Sequence, residues 1–321
     1  MTVEEEYHLI QEGVGLFDFS LEGKILVSGK DRGDFLNGLV SNDVKNLPVN
    51  TGMLAAFLDK FGKIISDCRI FKFEKHLLLV LPFLPRKKIL EKLQQDAALV
   101  DARVEDLTPQ YALLSVQGKK VDIFLEELSG KTIPLWSCHQ QVLADVDVAI
   151  LRLPRSSVPS VDLLIPTLAY KNILAWLLEK GKKYQLQKMN YKTYDLLRLE
   201  AGIPLFGLDF DETTIVPEIG EEAISYTKGC YVGQEVVARI KNVGKGMTAK
   251  KLVKLEMVSR NLVEKGTKLF AAGQEIGWVT SSAYSPGLQK VFGLGFVKRG
   301  FYDQVREVEV GEKRLKAMVV S

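Results

Sequence analysis

The chain has 321 residues, of which 46% are hydrophobic and 26% are charged, and its formal net charge is +3. Such a composition is that of an ordinary globular protein, and the length allows two or three domains. So small a net charge gives no reason to expect binding to nucleic acid or to a membrane surface. The acidic first residues match neither a secretory signal nor a transit peptide, and apolar runs such as residues 77–84 are too short to span a bilayer. We therefore expect a cytoplasmic protein of bacterial type.

Patterns typical of metal sites and disulfide frameworks are missing from the sequence. The three cysteines, Cys68, Cys138 and Cys230, form no C-x-x-C pair, and the three histidines form no H-E-x-x-H motif. A disulfide framework and a self-contained zinc site are therefore not expected, and no resident metal is predicted. Cys68 falls in a predicted strand and Cys138 in a predicted loop, and we expect both to be inert.

In chain order, the N-terminal third alternates between strand and helix patterns. Strands are predicted over residues 24–28, 53–58, 63–73, 76–81 and 100–104, and helices over residues 31–39 and 85–95. The first helix rests on the helical spacing of Phe35, Leu36 and Leu39. The sequence D-K-F-G at residues 59–62 predicts a hairpin turn between the second and third strands.

A similar order then recurs more loosely. Strands are predicted over residues 111–116, 146–153 and 161–165, and helices over residues 121–128, 167–180 and 190–200. Thr167 is expected to cap the helix that Gly181 ends, and Asn190 to cap the helix that Gly202 stops. Two consecutive units of mixed character predict an α+β fold with antiparallel sheets.

Beyond Gly244 the pattern changes to short strands separated by Gly, Pro and Asn. These strands are predicted over residues 252–257, 268–270, 275–280, 291–297 and 306–310. Spacing of this kind predicts a small antiparallel barrel. We therefore divide the chain into residues 1–243, which carry the two α+β units, and residues 244–321, which form the barrel.

The segment at residues 228–235 reads K-G-C-Y-V-G-Q-E, and apolar spacing from Val232 to Ile240 predicts a helix behind it. Cys230 is then expected at or just before a helix N-terminus, where free N–H groups and the macrodipole favour an anion. Lys228 adds a nearby cation, and both effects favour a reactive thiolate. The alternative is that Cys230 is an inert buried thiol.

Residues 198–207, R-L-E-A-G-I-P-L-F-G, place Arg198 and Glu200 at the end of a helix. A helix C-terminus disfavours a carboxylate, so Glu200 needs a partner. A pterin offers a ring N–H beside an exocyclic amine, and a carboxylate can accept both bonds in parallel. The alternatives are a local pair with Arg198 or a solvated helix end. Asp67, on the strand after the hairpin turn, could face either a cavity or water.

Together these segments resemble the glycine-cleavage T-protein superfamily and, within it, the YgfZ-type folate-binding proteins. The resemblance is collinear and covers nearly the whole chain, through residues 15–18, 33–44, 62–67, 198–207, 228–235 and 237–239. The K-G-C-[YF]-x-G-Q-E signature is specific to the YgfZ branch, whereas R-L-E-x-G-x-P marks the wider superfamily.

The resemblance implies two interlocked α+β lobes and a C-terminal β-barrel, three lobes around a central opening. Tetrahydrofolate, or a one-carbon derivative of it, is expected in that opening. The residues expected to bind folate are Glu200, which would hold the pterin, and Arg198, Gln234, Arg239 and Tyr231. The residues expected to act in the chemistry are Cys230, Lys228 and Asp67.

The function implied is folate-dependent assembly or repair of iron–sulfur proteins, including a tRNA-thiolating radical enzyme. The expected partners are folate, iron–sulfur proteins or their assembly factors, and a tRNA-modifying enzyme. A first alternative is an aminomethyltransferase or demethylase that uses Asp67, although the transferases carry two consecutive acids where this chain has Ser66 and Asp67. A second alternative is a non-catalytic module that binds RNA or a protein through the basic segment after Arg239.

Overall fold

The protein is described by a computed structural model that covers residues 1–258 and 260–320. The α-helices of this part of the chain are α1 (Val3–Glu12), α2 (Arg32–Asn37), α3 (Arg86–Ala97), α4 (Val121–Ser129), α5 (Tyr170–Lys180), α6 (Tyr191–Glu200) and α7 (Gln234–Asn242). Helix α1 begins at a complete capping box, in which the side chains and backbones of Thr2 and Glu5 hydrogen-bond reciprocally.

The β-strands fall into two sets. Those of the first set are β1 (Gly15–Asp18), β2 (Gly23–Ser28), β3 (Thr51–Leu58), β4 (Ile64–Lys72), β5 (His76–Leu81), β6 (Arg103–Asp106), β7 (Tyr111–Gln117), β8 (Ser137–Leu143), β9 (Val146–Arg152), β10 (Ser160–Pro166) and β11 (Gln187–Lys188). Those of the second set are β12 (Lys250–Met257), β13 (Lys268–Ala271), β14 (Gln274–Ser285), β15 (Lys290–Lys298), β16 (Glu307–Val310) and β17 (Leu315–Val320).

The first set forms one 11-stranded sheet in the order β11-β1-β7-β10-β9-β8-β3-β4-β5-β2-β6. Its ladders are antiparallel, as between β2 and β5 or β7 and β10, except for the short parallel pairing of β1 with β11. Strands such as β5 and β10 are buried along nearly their whole length, which indicates that both of their faces are covered.

Two separate apolar cores lie along this sheet. One packs β2, β4 and β5 against α2 and α3, and includes Leu36, Ile70 and Leu93. The other packs β7, β9 and β10 against α4 and α5, and includes Phe124 and Ile173. The repeated order of strands and helices in the sequence therefore corresponds to two groups of helices, each packed with its own apolar core against a different part of the same sheet.

The second set closes into a barrel in the order β12-β15-β14-β13-β16-β17, and β17 pairs back onto β12. Closure leaves no free sheet edge, and alternating apolar residues fill the interior. The predicted α+β class with antiparallel sheet and C-terminal β-barrel is confirmed.

The chain forms two compact units that are not consecutive in sequence. The first comprises Met1–Leu58, Ile65–Asn190 and Glu222–Val232, and the second comprises Asp59–Ile64, Tyr191–Glu221 and Gly233–Ser321. The division at residue 243 and the three-lobed arrangement stay predictions.

The predicted hairpin turn is confirmed in detail. Asp59 accepts hydrogen bonds from the backbone N–H groups of Phe61 and Lys63, at 2.8 and 2.9 Å. Gly62 has φ of 75°, a left-handed conformation that glycine adopts without strain. The turn is anchored within its own unit, where the Ile64 N–H donates to the carbonyl of Thr214 at 2.9 Å.

Some local predictions are wrong. Thr167 does not cap a helix: a short 3₁₀ turn, Thr167–Ala169, precedes α5, and its hydroxyl donates to the Pro109 carbonyl. The strand predicted at 100–104 begins only at Arg103. Cys138 lies in strand β8 instead of a loop. Among the described residues, no helix combines the length and the apolar character needed to cross a membrane.

Candidate functional site

The segment that carries Cys230 is a loop docked onto the residues just after helix α2. The Ser225 N–H donates to the Ser41 carbonyl at 3.0 Å, and the Ser41 hydroxyl donates back to the Ala223 carbonyl at 2.5 Å. The Val232 N–H donates to the Gly38 carbonyl at 3.3 Å. The loop is therefore held in place by backbone bonds on both sides of Cys230.

Lys228 is the main anchor of this loop. Its Nζ donates to the carbonyls of Asn37, Val40 and Asn42 at 2.5, 2.8 and 2.8 Å. Burial lowers the pKa of Lys228 to about 8, and Asp43 partly opposes that effect. Three carbonyl acceptors match the three donors of an ammonium, so the charged form is held by hydrogen bonds. Lys228 thus has a structural task that the sequence did not reveal.

Cys230 itself is exposed, whereas Cys68 and Cys138 are buried. Burial raises the pKa of Cys68 well above its usual range and that of Cys138 to about 12, which disfavours the reactive thiolate of both. The alternative of a buried, inert Cys230 is therefore excluded. Helix α7 begins at Gln234, four residues after the cysteine, and Gly233 is its N-cap. The activating roles given to Lys228 and the helix dipole stay predictions.

Three other predicted residues follow Cys230 in the chain. The buried Tyr231 ring lies 4.9 Å from the Lys228 Nζ, and burial raises the pKa of its phenol. Gln234 is the first residue of α7, and Arg239 lies exposed in its last turn. Folate contacts by these side chains remain predictions.

Glu200 is the last residue of α6, and Asn190 directly precedes the helix, as the sequence predicts. The Glu200 residue is only 8% exposed, which excludes a solvated helix end. Its backbone carbonyl accepts a hydrogen bond from Lys254 Nζ of the barrel. This lysine supplies a positive charge at the C-terminus of the helix, which balances the macrodipole there.

Arg198 is wholly buried and paired with two carboxylates. It donates to Asp195 at 2.8 Å and to the buried Asp209, and its Nη1 also bonds the carbonyl of Ile203 at 3.2 Å. Asp209 in turn accepts a hydrogen bond from the Thr280 hydroxyl at 2.7 Å. Arg198 therefore fixes the chain that follows Glu200 and acts as a positioning residue. The guanidinium of Arg198 pairs with Asp195 and Asp209, and not with Glu200, so the alternative of a local pair between Arg198 and Glu200 is wrong.

Asp67 lies on β4 beside a buried charge network. Its Oδ1 atom is buried and has no hydrogen-bond partner among the described residues. Burial raises the pKa of this carboxyl, although the nearby Arg69 opposes the rise. Because Asp67 and Arg69 are two residues apart on a strand, both project from the same face. A carboxyl with one buried and unsatisfied oxygen is suited to accepting an N–H from a ligand.

The network beyond Arg69 was not predicted. Arg69 lies 3.7 Å from Glu22, and Glu22 accepts two hydrogen bonds from Arg155 at 2.9 and 2.7 Å. Arg155 is fully buried, chelates the equally buried Asp162, and stacks on Phe19 at 4.3 Å. The signal in the sequence is Asp162, an acid inside the apolar run of β10, which requires a buried partner.

The structure places the predicted residues in two groups. The first compact unit holds Asp67, Lys228, Cys230 and Tyr231, and the second holds Arg198, Glu200, Gln234 and Arg239. Within residues 1–258 and 260–320, no group of three or more His, Cys, Asp or Glu side chains is arranged to hold a metal ion. A single opening shared by Cys230 and Glu200 stays a prediction.

Two family profiles match the chain. The profile described as "GCVT N-terminal domain" matches residues 1–226, and that described as "Glycine cleavage T-protein C-terminal barrel domain" matches residues 250–321.

Two similar proteins carry the same name, and one solved structure has a similar fold. The aminomethyltransferase of Thermoanaerobacter sp. (strain X514) is 25% identical over 100% of this chain and 88% of its own. That of Bacillus mycoides (strain KBAB4) is 30% identical over 99% of this chain and 88% of its own. The crystal structure of glycine cleavage system aminomethyltransferase T from Bartonella henselae superposes with a TM-score of 0.87 at 22% identity, over 99% of this chain and 88% of that one, which shows a common fold.

Proposed function

Because the chain belongs to the glycine-cleavage T-protein family, we propose that it binds tetrahydrofolate and supports the assembly or repair of iron–sulfur proteins through Cys230. Aminomethyltransferases of this family use tetrahydrofolate, so the cofactor expected from the sequence agrees with the family. The observation that carries the proposal is the exposed thiol of Cys230, presented on a loop that Lys228 anchors.

The residues present fit a folate. The unsatisfied Oδ1 of Asp67 is an acceptor for an N–H group of the ligand. The carboxylate of Glu200, fixed at the end of α6, would accept the paired donors of the pterin edge. Tetrahydrofolate would supply the nitrogen that carries a one-carbon unit, and each carboxyl group, taken by itself, is a candidate acceptor for one of its N–H groups.

The thiol of Cys230 would serve another protein instead of a resident cluster. A stably held cluster needs several cysteine ligands, and the two other cysteines are buried in strands. Exposure leaves the Cys230 sulfur accessible to iron, sulfur or a thiol of a partner. The clients expected from the resemblance of residues 228–235 are iron–sulfur proteins or their assembly factors, among them a tRNA-thiolating radical enzyme.

A second candidate is aminomethyl transfer, which the names of the relatives favour. Burial raises the pKa of Asp67, which favours its protonated form, and a group that gives or takes a proton at a folate nitrogen benefits from such a shift. This reading needs no thiol, so Cys230 separates the two candidates. The third reading, an RNA- or protein-binding module, draws on exposed basic residues such as Arg239 and Lys245.

The experiment that tests the proposal is complementation of a deletion strain with wild type, Cys230→Ser and Asp67→Asn. The exposed neighbour Thr227→Ser serves as the matched control. We expect Cys230→Ser to lose the activity of the dependent iron–sulfur enzymes while Thr227→Ser retains it. Full activity of Cys230→Ser would remove the thiol from the function. One-carbon transfer by the purified protein that is lost in Asp67→Asn would support the second candidate.

A further inference from the structure

An arginine beside Asp67 carries hydrogen-bond donors that the fold leaves unused. Arg69 follows Asp67 by two positions on β4, and alternate residues of a strand project from the same face of a sheet. Arg69 is 8% exposed, and its Nη1 lies 3.7 Å from Oε1 of Glu22, which is too far for a hydrogen bond. Within residues 1–258 and 260–320, no acceptor takes a hydrogen bond from the N–H groups of this guanidinium. Buried donors of this kind require a partner, because leaving them unsatisfied is costly.

Glu22 balances the charge of Arg69 without using its donors. The two oxygens of Glu22 accept hydrogen bonds from Nη1 and Nη2 of Arg155 at 2.9 and 2.7 Å. Asp162 chelates the same Arg155, so that two acids oppose two arginines in this part of the first unit. The carboxylates around Arg69 are therefore occupied, and they supply charge but no acceptor for its N–H groups.

A third cation nearby has its own partners. Lys24 lies in the same row of the sheet as Arg69, since both are paired with Val80. The Nζ of Lys24 donates to the carbonyl of Ser20 at 2.7 Å. Three acids attract this lysine electrostatically: Glu22, Asp106 and Asp18. Arg69 thus faces no surplus of either charge, and a ligand carboxylate would bring an unbalanced charge into the interior. The oxygen that suits Arg69 belongs to an uncharged group.

Asp67 supplies the complementary group. Its Oδ1 is buried and accepts no hydrogen bond from the described residues, Arg69 included. The Cα atoms of alternate strand residues are about 7 Å apart, so the two side chains reach different atoms of one ligand. The acceptor and the donors together require a ligand that presents an N–H group and, a few atoms away, an uncharged oxygen.

One form of folate meets both requirements, and this step rests on the folate binding proposed above. The methyl and methylene derivatives of tetrahydrofolate carry no oxygen on the one-carbon unit, whereas the formyl derivative carries a carbonyl group. When the formyl group is on N5, the nearby N10 retains its N–H. We propose that Asp67 accepts this N–H while Arg69 donates to the formyl oxygen, so that the protein selects 5-formyltetrahydrofolate.

The other oxygens of folate suit this pair of side chains less well. Those of the glutamate tail are carboxylates, which the balanced charges around Arg69 disfavour. The carbonyl of the pterin adjoins its N–H on one edge, which fits two side chains in contact, whereas Asp67 and Arg69 are not bonded to each other. The carbonyl and the N–H of the benzoyl amide point in opposite directions, but Asp67 and Arg69 project from one face.

Calorimetry on the full-length wild type compares 5-formyltetrahydrofolate with 5-methyltetrahydrofolate. Both ligands keep the N–H on N10, and only the formyl compound carries the oxygen. We expect the formyl compound to bind about tenfold more tightly, because a hydrogen bond from a charged donor is gained. Equal affinities, or tighter binding of the methyl compound, overturn this inference and leave folate binding itself intact. If neither compound binds, and tetrahydrofolate does not bind either, both this inference and the proposed function fail.

Arginine variants test the role of Arg69 itself. Arg69→Met removes the donors, and it should abolish the preference for the formyl compound while the affinity for the methyl compound stays unchanged. Arg152→Met is the matched control, because Arg152 is also buried in the first unit and already donates to the carbonyl of Ser160 at 2.7 Å. We expect this control to keep the preference of about tenfold, since the ratio of two affinities within one variant does not depend on its stability.

Arg69→Lys keeps a charge beside Glu22 and an N–H donor, so we expect it to fold and to restore part of the preference. Unfolding curves establish which variants fold, and the comparison of the two ligands on wild type needs no variant. A preference that persists in Arg69→Met contradicts the assignment. Equal weakening of both ligands in Arg69→Met also contradicts it, because that result is the one expected of a purely structural arginine.

Discussion

Arg155 and Asp162 form an ion pair that is completely buried, with the Arg155 Nε 2.9 and 2.8 Å from the two carboxylate oxygens. Burial raises the pKa of the carboxyl of Glu22, the second acid on Arg155, but the attraction of Arg155 and Arg69 outweighs it and the pKa is lowered. The network therefore carries ionised groups through the interior of the first unit, next to Asp67. Removing one member leaves a buried charge without compensation.

Asp162→Ala should therefore lower the free energy of unfolding by roughly 3–5 kcal/mol, as measured by urea denaturation. The ion pair between Glu179 and Lys182 is exposed at 68% and 72%, and Glu179→Ala is its matched control. We expect little change in the control, because solvent screens an exposed pair. Similar decreases in the free energy of unfolding in Asp162→Ala and Glu179→Ala would show that the buried network contributes no more to stability than an exposed ion pair.

Asp67 should make stability depend on pH. Because its pKa is raised in the folded state, the folded protein holds this proton more tightly than the unfolded chain. Its contribution to stability is complete below the unfolded pKa of about 3.9 and is lost as pH rises through the folded pKa. Asp67→Asn removes the ionisation, so the variant should gain stability relative to wild type as pH rises.

The comparison is made by urea unfolding of wild type and Asp67→Asn from acid to pH 8. Asp147→Asn, at an exposed position on β9, controls for the loss of one carboxylate. A difference between wild type and Asp67→Asn that stays constant over this range would contradict the raised pKa. If Asp67→Asn is more stable than wild type and no longer binds folate, then Asp67 serves the function and lowers the stability of the fold.

Lys228→Met should destabilise the protein, because three carbonyl groups lose their donor at once. We expect a loss of about 3 kcal/mol or more in the free energy of unfolding, together with faster hydrogen exchange at residues 37–42. The exposed Lys30→Met is the control. Unchanged exchange in Lys228→Met would mean that the ammonium does not hold the loop.

The three cysteines should differ sharply in reactivity. Iodoacetamide should modify Cys230 in the native protein, and Cys68 and Cys138 only in denaturant, since both are buried in strands. Mass spectrometry of the modified peptides gives the three rates separately. Native modification of Cys138 at a rate similar to that of Cys230 would contradict the described burial.

Local patterns in the sequence were sufficient for most elements. The turn at residues 59–62, the strand His76–Leu81 and the helix Tyr191–Glu200 follow from turn chemistry, apolar runs and caps. The short strands β11, at the edge of the sheet, and β1, beside it, carry too few residues for a periodic signal, and pairing with distant strands creates them. Thr167 does not act as a cap, because its hydroxyl donates a hydrogen bond to the carbonyl of Pro109, which the tertiary fold brings close.

The site was predictable only in part. The segment with Cys230 stood out because cysteine, lysine and glycines are adjacent in the chain. The partners of Lys228, some 190 residues away, and the link from Glu22 to Arg155 arise only when the sheet is assembled. Contacts over such separations leave no pattern in a single sequence, whereas Asp162 inside an apolar strand does signal a buried partner.

Calorimetric titration of tetrahydrofolate into wild type and Glu200→Gln tests folate binding most directly. The amide keeps the shape of the side chain but can no longer accept two hydrogen bonds in parallel. We expect saturable binding of tetrahydrofolate to wild type, and an affinity at least about tenfold weaker in Glu200→Gln. Equal affinity in the two proteins would contradict the role of Glu200, and a wild type that does not bind tetrahydrofolate would contradict the proposed function itself.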